Sequence, residues 1–189
     1  MRKIFLFMMV TLDGYFEGPG HDLSWHNVDA EFNDFAIPQM LEADTILFGK
    51  RTYQLMEEFW PSPAGLEGDP EVADIMNNTP KVVVSTSLKN IKETEHWKNV
   101  RLIEHNVKEE LQKLKEQDGK DIILLGSSTL SVSLLSWGLL DEIRIMTNPV
   151  AIGEGTTLFH GLKKKIKFHL MQERTFQSGN VLLTYHVKN

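Results

Sequence analysis

The sequence predicts an α/β fold built on a largely parallel sheet, with an antiparallel meander added near the carboxyl end. Three observations carry that expectation. Residues 4–10 are apolar at every position, the pattern of a strand covered on both faces. Short strand-like runs then alternate with amphipathic segments of helical period, which implies βαβ units. In the last third, residues 142–147 and 181–187 switch to an alternation of period two, as antiparallel strands do.

The elements follow in order. Further strands are expected at 45–48, 81–84, 100–103 and 122–125. A helix over 51–60 places Leu55, Met56, Phe59 and Trp60 on one side. Segment 108–116, with Val107 before it, brings Leu111 and Leu114 to helical spacing, and 128–140 carries Leu130, Leu134, Leu135 and Trp137. In the meander, Ile143 and Ile145 oppose Glu142 and Arg144. Val181, Leu183, Tyr185 and Val187 alternate with Leu182, Thr184 and His186, and 167–173 precedes them. The Gly- and Pro-containing stretch 61–70 reads as a surface loop. No repeat or linker divides the chain, and its 189 residues are expected to form one domain, since a single core saturates only above roughly 250 residues.

Composition narrows the function classes. A 41% hydrophobic and 24% charged chain has no disordered signature, and a net charge of −6 disfavours nucleic acid and acidic membranes. Any bound anion must be caught in a local positive pocket. With no cysteine, a disulfide framework, a Cys-containing zinc site and a thiol nucleophile are excluded. Arg2 and Lys3 before an apolar run resemble a signal peptide. That run is short, however, and Asp13 and Glu17 follow it in place of a small-residue cleavage site. Nothing approaches the ~20 apolar residues that span a bilayer, so a cytoplasmic protein is expected. The histidines are scattered without the spacing of a metal pair, and no metal site is expected. GxSxG, GxGxxG and a phosphate loop ending in Gly-Lys-Ser/Thr are all missing, which disfavours a Rossmann dehydrogenase.

In an open α/β sheet, ligands collect beyond the carboxyl ends of the parallel strands. Gly49-Lys50-Arg51-Thr52 follows one predicted strand, Ser85-Thr86 another and Gly126-Ser127-Ser128 a third. Two of these junctions open helices, whose free N–H groups hold phosphate without a dedicated side chain. Gly126 allows close backbone approach, and Ser127 or Ser128 can cap the helix or donate to phosphate. Lys50 and Arg51, with the hydroxyls of Ser85 and Thr86, suit a terminal phosphomonoester such as the 2′-phosphate that distinguishes NADPH from NADH. The Gly-containing segment 14–28 after the first strand is placed to close over a ligand.

These residues also carry a resemblance. Thr11-Leu12-Asp13-Gly14-Tyr15, Leu47-Phe48-Gly49-Lys50-Arg51-Thr52-Tyr53, Lys81-Val82-Val83-Val84-Ser85-Thr86, Leu125-Gly126-Ser127-Ser128, Leu139-Leu140-Asp141-Glu142, Asn148-Pro149-Val150 and Gly153-Glu154-Gly155-Thr156-Thr157-Leu158-Phe159 occur in one order. That order resembles the dihydrofolate-reductase-like reductases, in particular the reductase domain of the bifunctional riboflavin-biosynthesis deaminase/reductase. The resemblance implies a three-layer α/β/α sandwich, NADPH as cofactor and a homodimer. It implies that Gly49, Lys50, Arg51 and Thr52, helped by Ser85 and Thr86, hold the adenosine side and its 2′-phosphate. Gly126, Ser127 and Ser128 would hold the pyrophosphate, with Val10, Thr11 and Asp13 near nicotinamide and substrate. Three departures stand out: Gly126-Ser127 replaces a common pair of glycines, Lys50 stands where an Arg usually follows the glycine, though Arg51 adjoins it, and the deaminase domain is absent.

Reducing C=N or C=O needs a proton as well as hydride. In folate reductases a carboxylate on the first helix, shortly after a Trp, fills that role. Here Trp25 is followed by Asp29, Glu31 and Asp34, of which Glu31 adjoins the side marked by Phe32, Phe35 and Ile37; simple counting lands on Ala30. Asp13, just beyond the first strand, is the other candidate. The resemblance thus implies an NADPH-dependent reductase of a small nitrogen heterocycle, similar to 5-amino-6-(5-phosphoribosylamino)uracil reductase or dihydrofolate reductase. The alternative is a non-catalytic dimeric nucleotide- or metabolite-binding protein on the same fold.

Overall fold

The computed structural model describes residues 1–91 and 93–188. Eight strands form one sheet in the order β5-β4-β3-β6-β1-β7-β10-β9. The first strand, β1 (Ile4–Thr11), lies between β6 (Asp121–Leu124) and β7 (Glu142–Asn148), parallel to both. On the other side of β6 come β3 (Ala43–Gly49), β4 (Lys81–Val84) and β5 (Val100–Ile103), all parallel. The expected meander is β7 with β10 (Val181–Lys188) and β9 (Lys167–Thr175), paired antiparallel. Strand β2 (Tyr15–Glu17) pairs separately with β8 (Thr156–Thr157).

The unbroken apolar run of β1 is explained by what covers it. Ile4 and Leu6 pack with Leu111 and Leu114 of α5 (Val107–Glu116) and with Leu130 and Leu134 of α6 (Ser128–Trp137). Phe5, one position out of phase, packs on the opposite face with Met40 of α1 (Ala30–Leu41), Tyr53 of α2 (Lys50–Phe59) and Val72 and Met76 of α4 (Pro70–Asn78). The same alternation recurs in Ile122, Ile123 and Leu124 of β6, which are all fully buried. Period-two side chains thus feed two helical layers, the three-layer arrangement that the resemblance implies.

Stretch 61–70 is not a loop. It holds a short helix, α3 (Pro63–Gly68), and the start of α4. Ser62 and Asp69 are the N-caps, accepting from the N–H groups of Gly65 and Val72, and each is followed by a proline at the first helical turn. Proline there loses no hydrogen bond and arrives with helical φ, so these residues start helices. Nor is segment 14–28 free. Within it β2 is held by β8, and Asn27 N–H donates to Asn148 Oδ1 at 2.9 Å.

Candidate active site

Parallel pairing fixes where the informative junctions lie. Gly49 is in register with Val84, and Leu47 with Leu124, so β4, β3 and β6 all end at one rim of the sheet. Gly49 N–H donates to the Gly126 carbonyl at 2.9 Å. A Cβ on Gly49 would stand 2.5 Å from Ser127 Oγ, and one on Gly126 would stand 2.8 Å from Thr52 Oγ1. Two helix N-termini therefore meet closely, with the Ser127 and Thr52 hydroxyls packed where a larger residue's Cβ would go. Lys50 Nζ crosses to the third junction, donating to Ser87 Oγ at 3.1 Å. Ser85 is buried, and its Oγ accepts from Ser87 and Leu88 N–H, while Thr86 stays exposed beside it. Ser127 caps α6, and Ser128 is buried in its first turn.

Arg51 is turned elsewhere. Its guanidinium pairs with the buried Glu17 carboxylate of β2 and stands 3.3 Å from His21 Nε2. This fastens the segment after β1 onto the first turn of α2. Val10 and Thr11 are buried at the end of β1, where Thr11 Oγ1 accepts from Tyr15 N–H.

Two adjoining cavities open from this rim. The smaller, about 350 Å³, is lined by Met8, Glu17, Arg51, Thr52 and Gly126 among others. The larger, about 710 Å³, lies between the sheet and α1, α2 and α4, with Phe7, Phe32, Met56, Phe59 and Trp60 in its wall. His26 and Leu125 line both.

Neither candidate acid lines either cavity. Asp13 accepts from the N–H groups of Ile152 and Gly153, tying the segment after β1 to the one after β7. Hydrogen bonds from the Thr11 hydroxyl and then from Gly153 N–H hold its carboxyl below the usual carboxylate range, the opposite of what a proton donor needs. Glu31 projects toward the β9–β10 turn, accepting from Gln177 N–H at 2.8 Å, with Arg174 at 3.5 Å.

The polar groups in the larger cavity are ones that motif reading passed over. Asp69 accepts from Asn33 Nδ2 at 2.7 Å while capping α4, and both residues line the wall. His26 packs edge-on to Trp25, and its Nε2 is buried without a hydrogen-bond partner among the described residues. The available signal was Ser/Asp-Pro capping at 62–63 and 69–70, which would have placed Asp69 on a helix start facing the sheet.

Burial pushes the His26 imidazole down to about 4, against a smaller upward pull from Asp22. The ring is therefore neutral at pH 7. Because its folded value lies below the ordinary 6.5, the unfolded chain binds the extra proton first as pH falls. Stability should be complete above pH 6.5 and decline toward pH 4, by roughly 2–3 kcal/mol. His26→Asn should lose that part of the acid limb in thermal melts. An identical limb in the variant contradicts the assignment.

A match to the RibD C-terminal domain family spans residues 2–182. The chain belongs to that family. As a RibD C-terminal domain, it is similar to Bacillus subtilis (strain 168) YyaP, an uncharacterized protein, with 34% identity over 98% of this chain and 95% of that one. Among solved structures, a putative riboflavin biosynthesis protein from Shewanella sp. PV-4 superposes with TM-score 0.75 and 22% identity, covering 99% of each chain. The Thermotoga maritima diaminohydroxyphosphoribosylaminopyrimidine deaminase/5-amino-6-(5-phosphoribosylamino)uracil reductase gives TM-score 0.70 and 18% identity, over 99% of this chain and 57% of that one. Dihydrofolate reductase from Enterococcus faecalis, complexed with NADP(H), gives TM-score 0.63 and 15% identity, over 99% and 97%. The RibD C-terminal domain here thus has the dihydrofolate-reductase-like α/β fold, with antiparallel C-terminal strands. Among the described residues, no helix is long and apolar enough to cross a membrane, and no three His, Asp or Glu side chains gather as a metal site.

Proposed function

We propose that this chain is an NADPH-dependent reductase acting on a small nitrogen heterocycle. The observation that carries the reading is the close approach of two helix N-termini at Gly49 and Gly126, where the hydroxyls of Ser127 and Thr52 pack against the glycines beside a largely apolar cavity. A Cβ at either glycine would collide with the Ser127 or Thr52 hydroxyl and push apart two helix N-termini whose free N–H groups suit a phosphate. Gly49, Thr52, Gly126, Ser127 and Ser128 would hold the pyrophosphate. Lys50, with the hydroxyls of Ser85, Thr86 and Ser87, would take the 2′-phosphate. Arg51 would contribute through its pairing with Glu17, which keeps the segment after β1 over the smaller cavity. Bound there, NADPH supplies hydride from nicotinamide C4.

The chain's own groups orient the acceptor and exclude water. Phe7, Phe32 and Trp60 give the ring an apolar bed, and the Asn33–Asp69 pair offers hydrogen bonds at one edge. His26 lines both cavities as a neutral ring, and with its imidazole pushed down to about 4 it serves to orient the acceptor and not to supply the proton, which solvent at the cavity mouth would provide.

Lys50→Ala is the first test. Removing a charge-assisted contact worth ~1.5–3 kcal/mol should weaken NADPH roughly tenfold or more, with NADH unchanged. Calorimetry with both nucleotides measures this, and an equal loss for both contradicts the 2′-phosphate role. Arg51 is best left intact, because its loss would strand a buried Glu17. A second reading, a non-catalytic nucleotide- or metabolite-binding protein, is favoured by the exclusion of Asp13 and Glu31 from the cavities. Tight NADPH binding, with no loss of the reduced cofactor's absorbance across pterins and aminouracils, would support it.

A further inference from the structure

Resting on the reductase reading, we infer that the larger cavity takes an uncharged planar ring and rejects acceptors that carry a phosphate or another anionic tail. The charge of its wall decides this. Among the described residues, no Lys or Arg lines the cavity, and the one carboxyl side chain there is Asp69. Its carboxylate is fixed by Val72 N–H and by the Asn33 amide, so it cannot swing away from a ligand.

The nearest cations on the neighbouring junctions are already directed elsewhere. Arg51 is on Glu17, and Lys50 reaches Ser87 on the β4 side of the rim. A phosphate dianion entering the larger cavity would lose its hydration, meet Asp69 and find no cation. Isolated buried ions cost several kcal/mol each even after relaxation. A flat uncharged ring meets instead the faces and edges of Phe7, Phe32, Phe59 and Trp60, where aromatic contacts add to simple area burial. One polar edge is recognised too, since Asp69 can accept from a ring N–H.

At about 710 Å³ the space lies within the usual range for a small-molecule site of ~300–1,000 Å³. The inference separates this chain from a phosphoribosyl-handling reductase such as the one named for the Thermotoga maritima protein. The two share a fold, but among the described residues the wall of the larger cavity here carries no cation.

A matched pair of probes tests it. Full-length protein, free and saturated with NADPH, is titrated calorimetrically with 2-naphthol and with 2-naphthyl phosphate at neutral pH. The expected result is that naphthol binds at least tenfold more tightly than its phosphate ester. Leu55→Arg, which sets a cation at the 46% exposed rim position, should narrow that ratio at least threefold. Ala36→Trp, filling the cavity floor, should abolish naphthol binding while leaving NADPH affinity in place.

Equal or tighter binding of the phosphate overturns the inference, as does failure of both probes to bind. Naphthol binding that survives Ala36→Trp places the ring elsewhere and overturns it as well. The NADPH titration stands apart. Its failure removes the reductase reading, whereas the probe ratio speaks to the cavity alone.

Discussion

Gly126→Val is expected to lower the melting temperature by roughly 5–15 °C, on the scale of ~2–4 °C per kcal/mol for a chain of this size. NADPH affinity should fall roughly tenfold or more, the scale of one lost charge-assisted phosphate contact of ~1.5–3 kcal/mol. Two costs coincide. The backbone at Gly126 has φ +122°, which side-chain-bearing residues rarely adopt, and holding a β-branched residue there costs on the order of 1–3 kcal/mol. The new Cβ would also stand 2.8 Å from Thr52 Oγ1 and 3.6 Å from Met8 Cε; forcing such overpacking costs typically ~1–3 kcal/mol more. Because Gly49 N–H bonds to the Gly126 carbonyl, any shift passes to the first turn of α2. Gly161→Val separates strain from obstruction, since Gly161 has φ +84° with nothing within 4 Å. It should lose stability and keep NADPH affinity. Equal loss of affinity in both variants would contradict the cradle.

Lys81→Met is expected to destabilise the fold by roughly 3–5 kcal/mol. Lys81 is 1% exposed, and its Nζ donates to the carbonyls of Asn77, Thr79 and Lys98 at 2.9, 2.8 and 3.0 Å. The same ammonium lies 4.4 Å from the centre of the buried Trp97 ring. It therefore joins the end of α4 to the segment before β5. Methionine matches the stem but leaves three acceptors unpaired, each costing ~1–3 kcal/mol before relaxation. Burial pushes the Lys81 ammonium down to about 8, from an ordinary 10.5. The unfolded chain thus holds more protons between those values, and wild-type stability relative to the variant should rise from pH 8 toward 10.5. Denaturant melts across that range check the size and the sign. A variant within 1 kcal/mol of wild type would contradict the role given to the ammonium.

Strand positions were largely legible because buried parallel strands are written as short apolar runs between turn residues. Lys81–Val84 and Val100–Ile103 coincide with expectation to the residue. Helices α2, α5 and α6 stand within a few residues of their periodic patterns. The misreading at 61–70 came from treating Pro63 and Pro70 as breakers when each sits in a first helical turn behind a capping side chain. That error hid Asp69, and with it the polar end of the cavity. Strands β2 and β8, of three and two residues, are too short to show a period. The meander was placed correctly, but the expected split of faces in β10 was not. Leu182 is its buried residue, packed with Met9, Met146 and Phe176.

The site was legible only in part, for a related reason. The junction residues follow strands, so their convergence could be inferred from topology. The side-chain partners that redirect Arg51 to Glu17 and Asp13 to Gly153 are 34 and 140 residues away in sequence, and no local pattern records them. His26 illustrates the same limit. Its neutrality comes from burial, in a segment whose next residue, Asn27, is tied to Asn148, Ser178 and Asn180 far along the chain.

The central place of β1 also sets the timetable of folding in the cell. Both hydrogen-bonding edges of this first-made strand wait for partners that begin at Ile122 and Glu142. At ~5–20 residues per second of synthesis, an apolar ribbon stays unpaired for roughly 6–30 s after it leaves the ribosome. Such long sequence separations slow folding and leave aggregation-prone surface exposed, here the apolar stretch 4–10. A circular permutant opened in the exposed turn after Gly119, which would deliver β6 and β7 before β1, shortens that delay without altering the finished sheet.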